Sequence, residues 1–320
     1  METIYIEHPK YPEKLPELAI ALGFFDGVHT GHQEVILKAK SEAEKRGLQS
    51  GVMTFFPHPK EVLRGGEKVS YLTSINQKEK IIAELGIDYL IIVKFDKNFS
   101  SLTPQQFVDN YLIHLNVKHA VAGFDYSYGR LGKGSMETLP FHSRDKVTSS
   151  VVNKVEANGE KISSTSIRLA LEEGNIVKVN EFLGRPFEIS GQVVKGEQRG
   201  RTIGFPTANI KPAERACIPQ VGVYIVQLLI DGRYHKAVCN VGFKPTFHEK
   251  SEGEPTIEVH VLNFTGDLYN MDVTVRWLCK LRNEKKFESV DHLIDQLNED
   301  VEKAKHFFQT EKLESFSNNT

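Results

Sequence analysis

Two histidines close together, His29 and His32, have side chains that could bind an anion or a metal. They end the stretch GFFDGVHTGH, Gly23 to His32, which follows the apolar run LAIAL and contains three glycines. Residues three apart in a first helical turn lie on the same side, and the N–H groups at a helix N-terminus attract anions. A metal site, a general base, a phosphate clamp and a helix cap are all open at this point. Zinc needs at least one more ligand, and none is evident at a suitable spacing.

A second polar segment, Lys161 to Arg168, carries hydroxyl side chains at four consecutive positions. Such hydroxyls can cap a helix and hydrogen-bond phosphate, and Arg168 can offer a two-pronged guanidinium. Two familiar phosphate loops are absent, because no G-x-G-x-x-G follows the first strand and YGRLGKGS lacks the first glycine and the hydroxyl of a P-loop. A nucleotide bound by the first half of the chain must therefore be held by a different phosphate-binding motif.

A third segment, Lys195 to Asn209, combines basic residues with three glycines in a loop after a strand. Such a loop can present backbone N–H groups and positive charge to a polyphosphate. The Arg-Gly-Arg piece alone is also typical of a solvated basic turn. Further on, Glu258 alternates with apolar Ile257 and Val259 on a strand, so it faces the opposite side.

The elements that must position these residues differ between the two halves of the chain. In the first half, buried apolar runs such as Leu18–Phe25 alternate with helical patterns such as Gly31–Arg46, which predicts an α/β domain with a parallel sheet. After Gly184 the chain becomes rich in strands, and Asp231-Gly232 is a strong hairpin signal. The second half predicts a small antiparallel β-barrel with a final amphipathic helix over about Ser289–Phe308. We expect domains at 1–183 and 184–308, followed by a polar tail at 309–320.

Composition limits the class of protein. The apolar fraction is 40%, the charged fraction 26% and the formal net charge -2, which are typical of a globular protein and unlike one held to nucleic acid by phosphate contacts. The three cysteines are far apart in the sequence and include no CxxC pair, which suggests that they are reduced thiols. No signal peptide or membrane span is evident, so we expect a cytoplasmic location.

The motifs of the first half resemble one known family. His29-Thr30-Gly31-His32 is similar to the H-x-G-H motif of the nucleotidyltransferase superfamily, and Lys161–Arg168 is similar to its second signature. FPHP at 56–59, FSSLTP at 99–104 and GFDYSYG at 123–129 resemble the N-terminal module of prokaryotic bifunctional riboflavin kinase/FAD synthetases, which transfers AMP from ATP to FMN. The resemblance implies a Rossmann-like domain with catalytic His29 and His32, an ATP site of Gly23, Phe25, Asp26, Gly27, His29, His32, Ser163, Ser164, Thr165 and Arg168, and an FMN site of Pro57, His58, Pro59 and Asp125.

The second half resembles the riboflavin kinase fold of the same family. GFPTAN within Lys195–Asn209 is similar to its PTAN signature, and Gly242–Thr246, Thr256–Phe264 and Leu281–Phe287 also match. The resemblance implies that Glu258 is the general base for the riboflavin 5′-hydroxyl. It also implies a Mg²⁺ site of Thr207 and Asn209, a flavin contact at Arg282, and an ATP site of Lys195, Gly196, Arg199, Gly200, Gly204, Pro206 and Thr207.

These inferences combine into one prediction. The chain is expected to phosphorylate riboflavin to FMN and then to adenylylate FMN to FAD with release of pyrophosphate, using ATP as co-substrate and Mg²⁺. Its expected partners are the small molecules riboflavin, FMN and ATP, with no nucleic acid and no membrane, and the sequence leaves the oligomeric state open. Two alternatives remain: only one module is active, or the chain is a flavin-sensing regulatory or RNA-binding protein.

Overall fold

The computed structural model describes residues 1–12, 14–196, 199–243 and 255–317, without the side chains of Arg199 and of residues 311–317. The chain divides into two compact units, Met1–Ser164 and Thr165–Thr320. The expected domain boundary at 183/184 and the expected tail at 309–320 stay predictions. Part of the Gly242–Thr246 motif lies outside the described residues.

The first unit is built on a six-stranded sheet in which every pairing is parallel. Its strands are β1 (Glu2–Ile6), β2 (Leu18–Leu22), β3 (Gln49–Phe56), β4 (Tyr89–Lys94), β5 (Val117–Gly123) and β8 (Thr148–Val152). Two small antiparallel pairs accompany it, β6 (Ser127–Tyr128) with β7 (Gly134–Ser135) and β9 (Glu156–Ala157) with β10 (Glu160–Lys161). The order β1-β4-β3-β2-β5-β8 places β2 inside the sheet, where all five of its residues are buried. The predicted parallel α/β domain is confirmed.

Helices connect these strands and cover the sheet. They are α1 (Thr30–Arg46), α2 (Pro59–Leu63), α3 (Ile75–Glu84), α4 (Lys97–Ser100), α5 (Pro104–Phe107) and α6 (Leu139–Ser143). Helix α5 begins at Pro104, is capped by Thr103, and continues as a π-helical segment over Val108–Ile113. Helix α1 ends at Arg46, and the next residue, Gly47, has a φ of 66°, in the left-handed region expected for a C-terminal cap.

The second unit contains a closed barrel of six strands. After helices α7 (Ser164–Glu172) and α8 (Ile176–Leu183) come β11 (Phe187–Val194), α9 (Arg199–Thr202), β12 (Ala208–Pro212), β13 (Gly222–Ile230), β14 (Arg233–Gly242), β15 (Thr256–Val261), β16 (Asp272–Arg282) and α10 (Val290–Ser317). The strand order is β11-β12-β15-β14-β13-β16, and all pairings are antiparallel. Asp231 and Gly232 form the turn between β13 and β14, as predicted. The predicted barrel with a C-terminal helix is confirmed.

Both sides of the barrel wall are partly apolar. Trp277 and Tyr224 are fully buried and meet edge to face, with ring centroids 5.2 Å apart. Outside the wall, Ala304 and Phe308 of α10 pack with Val223 and Val238 in one buried cluster. Helix α10 therefore packs against the outer face of β13 and β14.

Candidate active sites

The turn after β2 is held by hydrogen bonds from the segment that precedes α3. The Asp26 carboxylate is buried and accepts hydrogen bonds from the backbone N–H groups of Leu72, at 3.0 Å, and Thr73, at 3.4 Å. The N–H of Gly27 donates to the Thr73 hydroxyl at 3.1 Å. Phe25 and Gly27 have φ angles of 52° and 87°, so the predicted strand to Phe25 ends at Leu22, where the chain turns sharply. The resemblance assigns Asp26 to the ATP site. In the structure, its hydrogen bonds to Leu72 and Thr73 fix the shape of this turn.

His29 and His32 lie together at the N-terminus of α1. His29 is the N-cap residue, and its Nδ1 accepts a hydrogen bond from the backbone N–H of His32 at 3.2 Å. The two rings stack with centroids 3.5 Å apart and an angle of 19° between their planes. Because Nδ1 of His29 is an acceptor, the proton of the neutral ring is on Nε2. His29 therefore caps the helix through Nδ1, which was one of the open alternatives. Its Nε2–H is a hydrogen-bond donor at a helix end that attracts anions.

An apolar ring, that of Phe25, packs against this histidine pair. The Phe25 ring is buried and meets the His32 ring edge to face, with centroids 5.3 Å apart. A Cβ on Gly23 would come within 2.7 Å of the Phe25 ring. Gly23 is therefore required by close packing under Phe25, and Phe25 in turn supports His32.

The hydroxyl-rich segment reaches the same turn. The Ser164 hydroxyl donates to the backbone carbonyl of Asp26 at 2.9 Å. Helix α7 begins at Ser164 and carries Thr165 and Arg168 in its next positions. Ser163 immediately precedes the helix. Two segments far apart in sequence thus meet at one backbone position.

The proline-flanked histidine is a second helix cap. His58 caps α2, and its Nδ1 accepts a hydrogen bond from the backbone N–H of Lys60 at 3.0 Å. The backbone N–H of His58 donates to the Tyr71 hydroxyl at 3.0 Å. Pro57 precedes it and Pro59 is the first residue of α2. The His58 ring meets the Phe24 ring edge to face, with centroids 4.4 Å apart. This contact brings the residues expected at FMN next to the turn expected at ATP.

Asp125 follows β5 and forms an ion pair with Lys161, at 3.2 Å. Both side chains are largely exposed to solvent, so the pair contributes little to stability. Lys161 also lies 4.7 Å from the centre of the Phe124 ring. The ion pair connects the GFDYSYG segment with the start of the hydroxyl-rich segment.

Sequence reasoning missed Lys78, a buried lysine on α3. Its side chain is only 3% exposed; its Nζ donates to the Phe24 carbonyl at 2.8 Å and to the Thr54 hydroxyl at 3.2 Å. It also lies 4.6 Å from the centre of the Phe24 ring. The sequence gives no signal for this role, because a lysine in NQKEKII reads as part of a solvated helix face. The contacts place the Lys78 amine under the turn that carries the histidines.

In the barrel, Glu258 lies between two asparagines. It pairs with Asn209 of β12 on one side and with Asn240 of β14 on the other. Paired residues in an antiparallel sheet point to the same face, with Cβ atoms about 4.5–5.5 Å apart. Ile257 and Val259 point inward and are buried, so the three polar side chains form a row on the outer face. Asn240 had not been identified from the sequence.

The loop before β12 is folded tightly onto itself and onto β15. The N–H of Phe205 donates to the Gly200 carbonyl at 2.8 Å, and Gly204 has a φ of 86°. The Pro206 carbonyl hydrogen-bonds Nδ1 of His260 at 2.8 Å. Thr207 directly precedes β12, so its hydroxyl and the Asn209 amide project from adjoining positions. These are hard oxygen donors of the kind that Mg²⁺ accepts.

Gly196 and Gly200 leave room for that arrangement. A Cβ on Gly196 would collide with the Asn209 amide, and one on Gly200 would collide with the Phe205 carbonyl. Lys195 adjoins Gly196, and the Arg199 side chain lies outside the described residues. The close approach of backbone to the Asn209 side chain requires glycine at 196.

Arg282 at the end of β16 is bound to the final helix. Its guanidinium makes hydrogen bonds to both Asp300 carboxylate oxygens, at 2.7–3.0 Å. Asp300 is 1% exposed. A two-pronged pair of this kind holds the guanidinium plane in one orientation.

None of the three cysteines, all of which lie in the described part of the chain, is in a disulfide, and Cys239 of β14 is fully buried in the barrel wall. Burial, and secondarily the Glu258 charge, raise the pKa of the Cys239 thiol. A thiol with a raised pKa carries little thiolate and is a poor nucleophile. Cys239 is therefore part of the packed wall that supports the row of polar residues.

Comparison with known proteins identifies the family to which the chain belongs. A family model described as FAD synthetase matches residues 11–166, and one described as riboflavin kinase matches residues 183–308. The bifunctional riboflavin kinase/FMN adenylyltransferase of Bacillus subtilis is 44% identical over 96% of this chain and 98% of its own length. This chain belongs to the bifunctional riboflavin kinase/FMN adenylyltransferase family. The member from Escherichia coli is 37% identical over 90% of this chain and 92% of its own length.

A solved structure shares the whole fold. A chain described as a macrolide-efflux protein from Streptococcus pneumoniae is 36% identical, with a TM-score of 0.84, and the match covers 95% of this chain and 98% of that one. No helix in the described part of the present chain is long and apolar enough to span a membrane. The described ranges also contain no group of three or more His, Cys, Asp or Glu side chains that could hold a metal ion. This family member is an enzyme of flavin cofactor biosynthesis, with an adenylyltransferase and a kinase module.

The tight approach of Gly196 to Asn209 gives a first testable prediction for this family member. Replacing Gly196 with alanine is expected to displace the Asn209 amide and to lower kinase kcat/KM for ATP by about tenfold or more, since one misplaced contact costs about 1.4 kcal/mol or more. Steady-state kinetics at several Mg²⁺ concentrations would measure it. FAD formation from FMN serves as the internal control, and a parental kinase rate would show that Asn209 does not need this geometry.

Proposed function

We propose that the chain makes FMN from riboflavin in the barrel and FAD from FMN in the α/β unit, each with ATP. The observation that carries this proposal is that two different polar constellations occur in separate compact units. The stacked histidines lie at the helix N-terminus in Met1–Ser164, and Glu258 lies beside Asn209 in the barrel of Thr165–Thr320. The first suits an anionic nucleophile, and the second suits a hydroxyl that must lose a proton.

In the adenylyl transfer, the FMN phosphate attacks the α-phosphorus of ATP and pyrophosphate leaves. The attacking oxygen is already anionic, so the protein needs no base and must align two anions and spread the developing negative charge. Nε2–H of His29 is placed to donate to a phosphoryl oxygen, while Nδ1 remains occupied by the His32 N–H. His32, Ser163, Ser164, Thr165 and Arg168 add donors to the same phosphates in this proposal.

The buried Lys78 contributes to the same reaction by holding the turn that carries the ATP-site residues. Its charge lies under the Phe24 carbonyl, so it steadies the turn while adding positive potential near two anions. The Phe24 ring in turn contacts His58. We assign Pro57, His58, Pro59 and Asp125 to the FMN side of this site, next to the ATP turn of Gly23, Phe25, Asp26 and Gly27.

In the kinase reaction, Glu258 accepts the proton of the riboflavin 5′-hydroxyl. The hydroxyl oxygen then bonds to the γ-phosphorus, the bond from that phosphorus to the β,γ-bridging oxygen breaks, and ADP leaves. The glycine-rich loop contributes the ATP contacts of Lys195, Gly196, Arg199, Gly200, Gly204, Pro206 and Thr207. Arg282 is assigned to the flavin, held in orientation by Asp300.

Thr207 and Asn209 have side-chain oxygens of the kind that a nucleotide-bound Mg²⁺ accepts, and the Gly196 backbone lies close against the Asn209 amide. When bound, the ion neutralises charge on the phosphates. The chain itself holds these donors beside Glu258, so the base and the phosphate site adjoin through the β12–β15 pairing. A cytoplasmic location, where ATP is abundant, completes the proposal.

Turnover by the whole chain tests the proposal. With riboflavin, ATP and Mg²⁺, chromatography should show FMN and then FAD; with FMN as the only flavin, FAD and pyrophosphate should appear in equal amounts. Removing Mg²⁺ with EDTA should stop both reactions, and adding it back should restore them. Failure to convert FMN would leave only the kinase module active, and flavin binding without any turnover would favour the sensing alternative.

A further inference from the structure

The loop that precedes β12 buries little of its own surface. Arg201, Thr202, Gly204 and Pro206 are exposed, and Phe205 is only partly buried. A segment with few buried contacts is held weakly by packing, and its local opening costs little free energy. Contacts from side chains of the barrel therefore decide how often this loop adopts the conformation that binds a nucleotide.

His260 of β15 makes two contacts of this kind. Its Nδ1 lies 2.8 Å from the carbonyl oxygen of Pro206, and its ring meets the Phe205 ring with centroids 5.4 Å apart. A carbonyl oxygen can only accept a hydrogen bond, so Nδ1 of His260 carries a proton and is the donor. The bond is available to the neutral ring as well as to the cationic ring, because Nδ1–H is present in both.

His260 lies on the same strand as the proposed base. Alternate residues of a strand share one face, and burial alternates along the whole of β15. Glu258 and His260 are therefore successive residues of the outer face. On the neighbouring strand Ala208 pairs with Val259, and Thr207 directly precedes Ala208. The strand that carries the base thus also holds, through His260, the loop that leads into Thr207.

We propose that His260 is a positioning residue of the kinase reaction, which holds the nucleotide-binding loop against the strand of the base. By binding the Pro206 carbonyl it keeps the next residue, Thr207, and the Asn209 amide beside Glu258 on β15. His260 itself transfers no proton. This inference rests on the proposed kinase function of the barrel. It gives a role to a residue outside the glycine-rich loop and outside the assigned ATP contacts.

The size of the expected effect follows from the loss of one hydrogen bond, which changes a conformational equilibrium by about three- to tenfold. When the nucleotide-binding conformation of the loop is populated less, the apparent affinity for ATP falls in proportion to that population. The loop contacts ATP in the bound substrate and in the transition state alike. KM for ATP should therefore rise while kcat changes little.

The kinetic test uses the full chain. His260→Ala should raise KM for ATP in FMN formation by about three- to tenfold, with kcat, KM for riboflavin and FAD formation from FMN close to parental. His260→Asn should restore the parental KM, because its side-chain nitrogen is as many bonds from Cα as Nδ1 and can donate to Pro206. His235→Ala is the matched control and should be parental, since His235 is a barrel histidine whose ring contacts Phe264, also with centroids 5.4 Å apart.

A second measurement follows the loop without any substrate. Hydrogen exchange of the backbone amides of residues 200–207, measured by mass spectrometry, should be faster in His260→Ala by about three- to tenfold and parental in His260→Asn and His235→Ala. The reporter is the N–H of Phe205, which donates to the Gly200 carbonyl at 2.8 Å. Thermal unfolding close to that of the parent shows that the barrel is intact.

Unchanged exchange in His260→Ala would overturn the inference, and so would faster exchange with a parental KM for ATP. Loss of kcat alone, or the same loss in His260→Ala and His260→Asn, would also contradict a positioning role. If His260→Ala does not fold, His260→Gln carries the same expectations, because its amide nitrogen lies farther from Cα than Nδ1. If the parental chain forms no FMN, the kinase assignment itself fails and this inference fails with it.

Discussion

Replacing Glu258 with glutamine is expected to lower the rate of FMN formation by about 10²–10⁴-fold, the usual contribution of a general base. Glutamine keeps the size of the side chain and its place between Asn209 and Asn240 on the outer face of the barrel. It removes only the ability to take the proton of the 5′-hydroxyl. FAD formation from added FMN should continue at the parental rate, because the FMN phosphate needs no base.

The measurement is a pair of steady-state assays on the same preparation, one starting from riboflavin and one from FMN. Asp272→Asn is a suitable control, since it neutralises an exposed carboxylate on the same barrel. Equal loss of both activities in a folded variant would contradict the division of labour between the two units. A parental kinase rate would remove Glu258 from the mechanism.

The opposite pattern is expected when the histidine pair is changed. His29→Asn combined with His32→Ala should lower FAD formation from FMN by about 10²–10³-fold or more, the usual cost of losing one pre-placed donor to a developing oxyanion. The side-chain oxygen of asparagine at 29 can still accept a hydrogen bond from the backbone N–H of residue 32, as Nδ1 of His29 does. The N-cap of α1 is therefore retained, while the Nε2–H donor is lost. FMN formation from riboflavin should be unchanged.

His114→Ala is the matched control, because His114 is an exposed histidine of the same unit. Pyrophosphate release and FAD formation should fall together in the double variant. Thermal unfolding close to that of the parent would exclude loss of the fold as the cause. A double variant that makes FAD at the parental rate would refute the phosphate clamp at the start of α1.

Much of the fold followed from hydrophobic patterning. The continuous apolar run LAIAL predicted a strand buried on both faces, and β2 is one. The edge strand β1 and the short strand β12 were not predicted. Both are short and only partly buried, so they lack the apolar runs that mark interior strands. Propensity gives little signal where burial is incomplete.

The sequence alone determined the chemistry-bearing residues whose spacing or motif is local. The His29 and His32 pair, the hydroxyls before Arg168 and the GFPTAN loop were all visible as short segments, and Glu258 was visible by alternation on its strand. Tertiary structure decided which residues adjoin them. Lys78 comes under the turn from α3, Asn240 comes beside Glu258 from β14, and Asp300 comes to Arg282 from α10. The physical reason is that strand register and helix packing are set by burial of the whole core, so contacts between distant segments leave no pattern in either segment by itself.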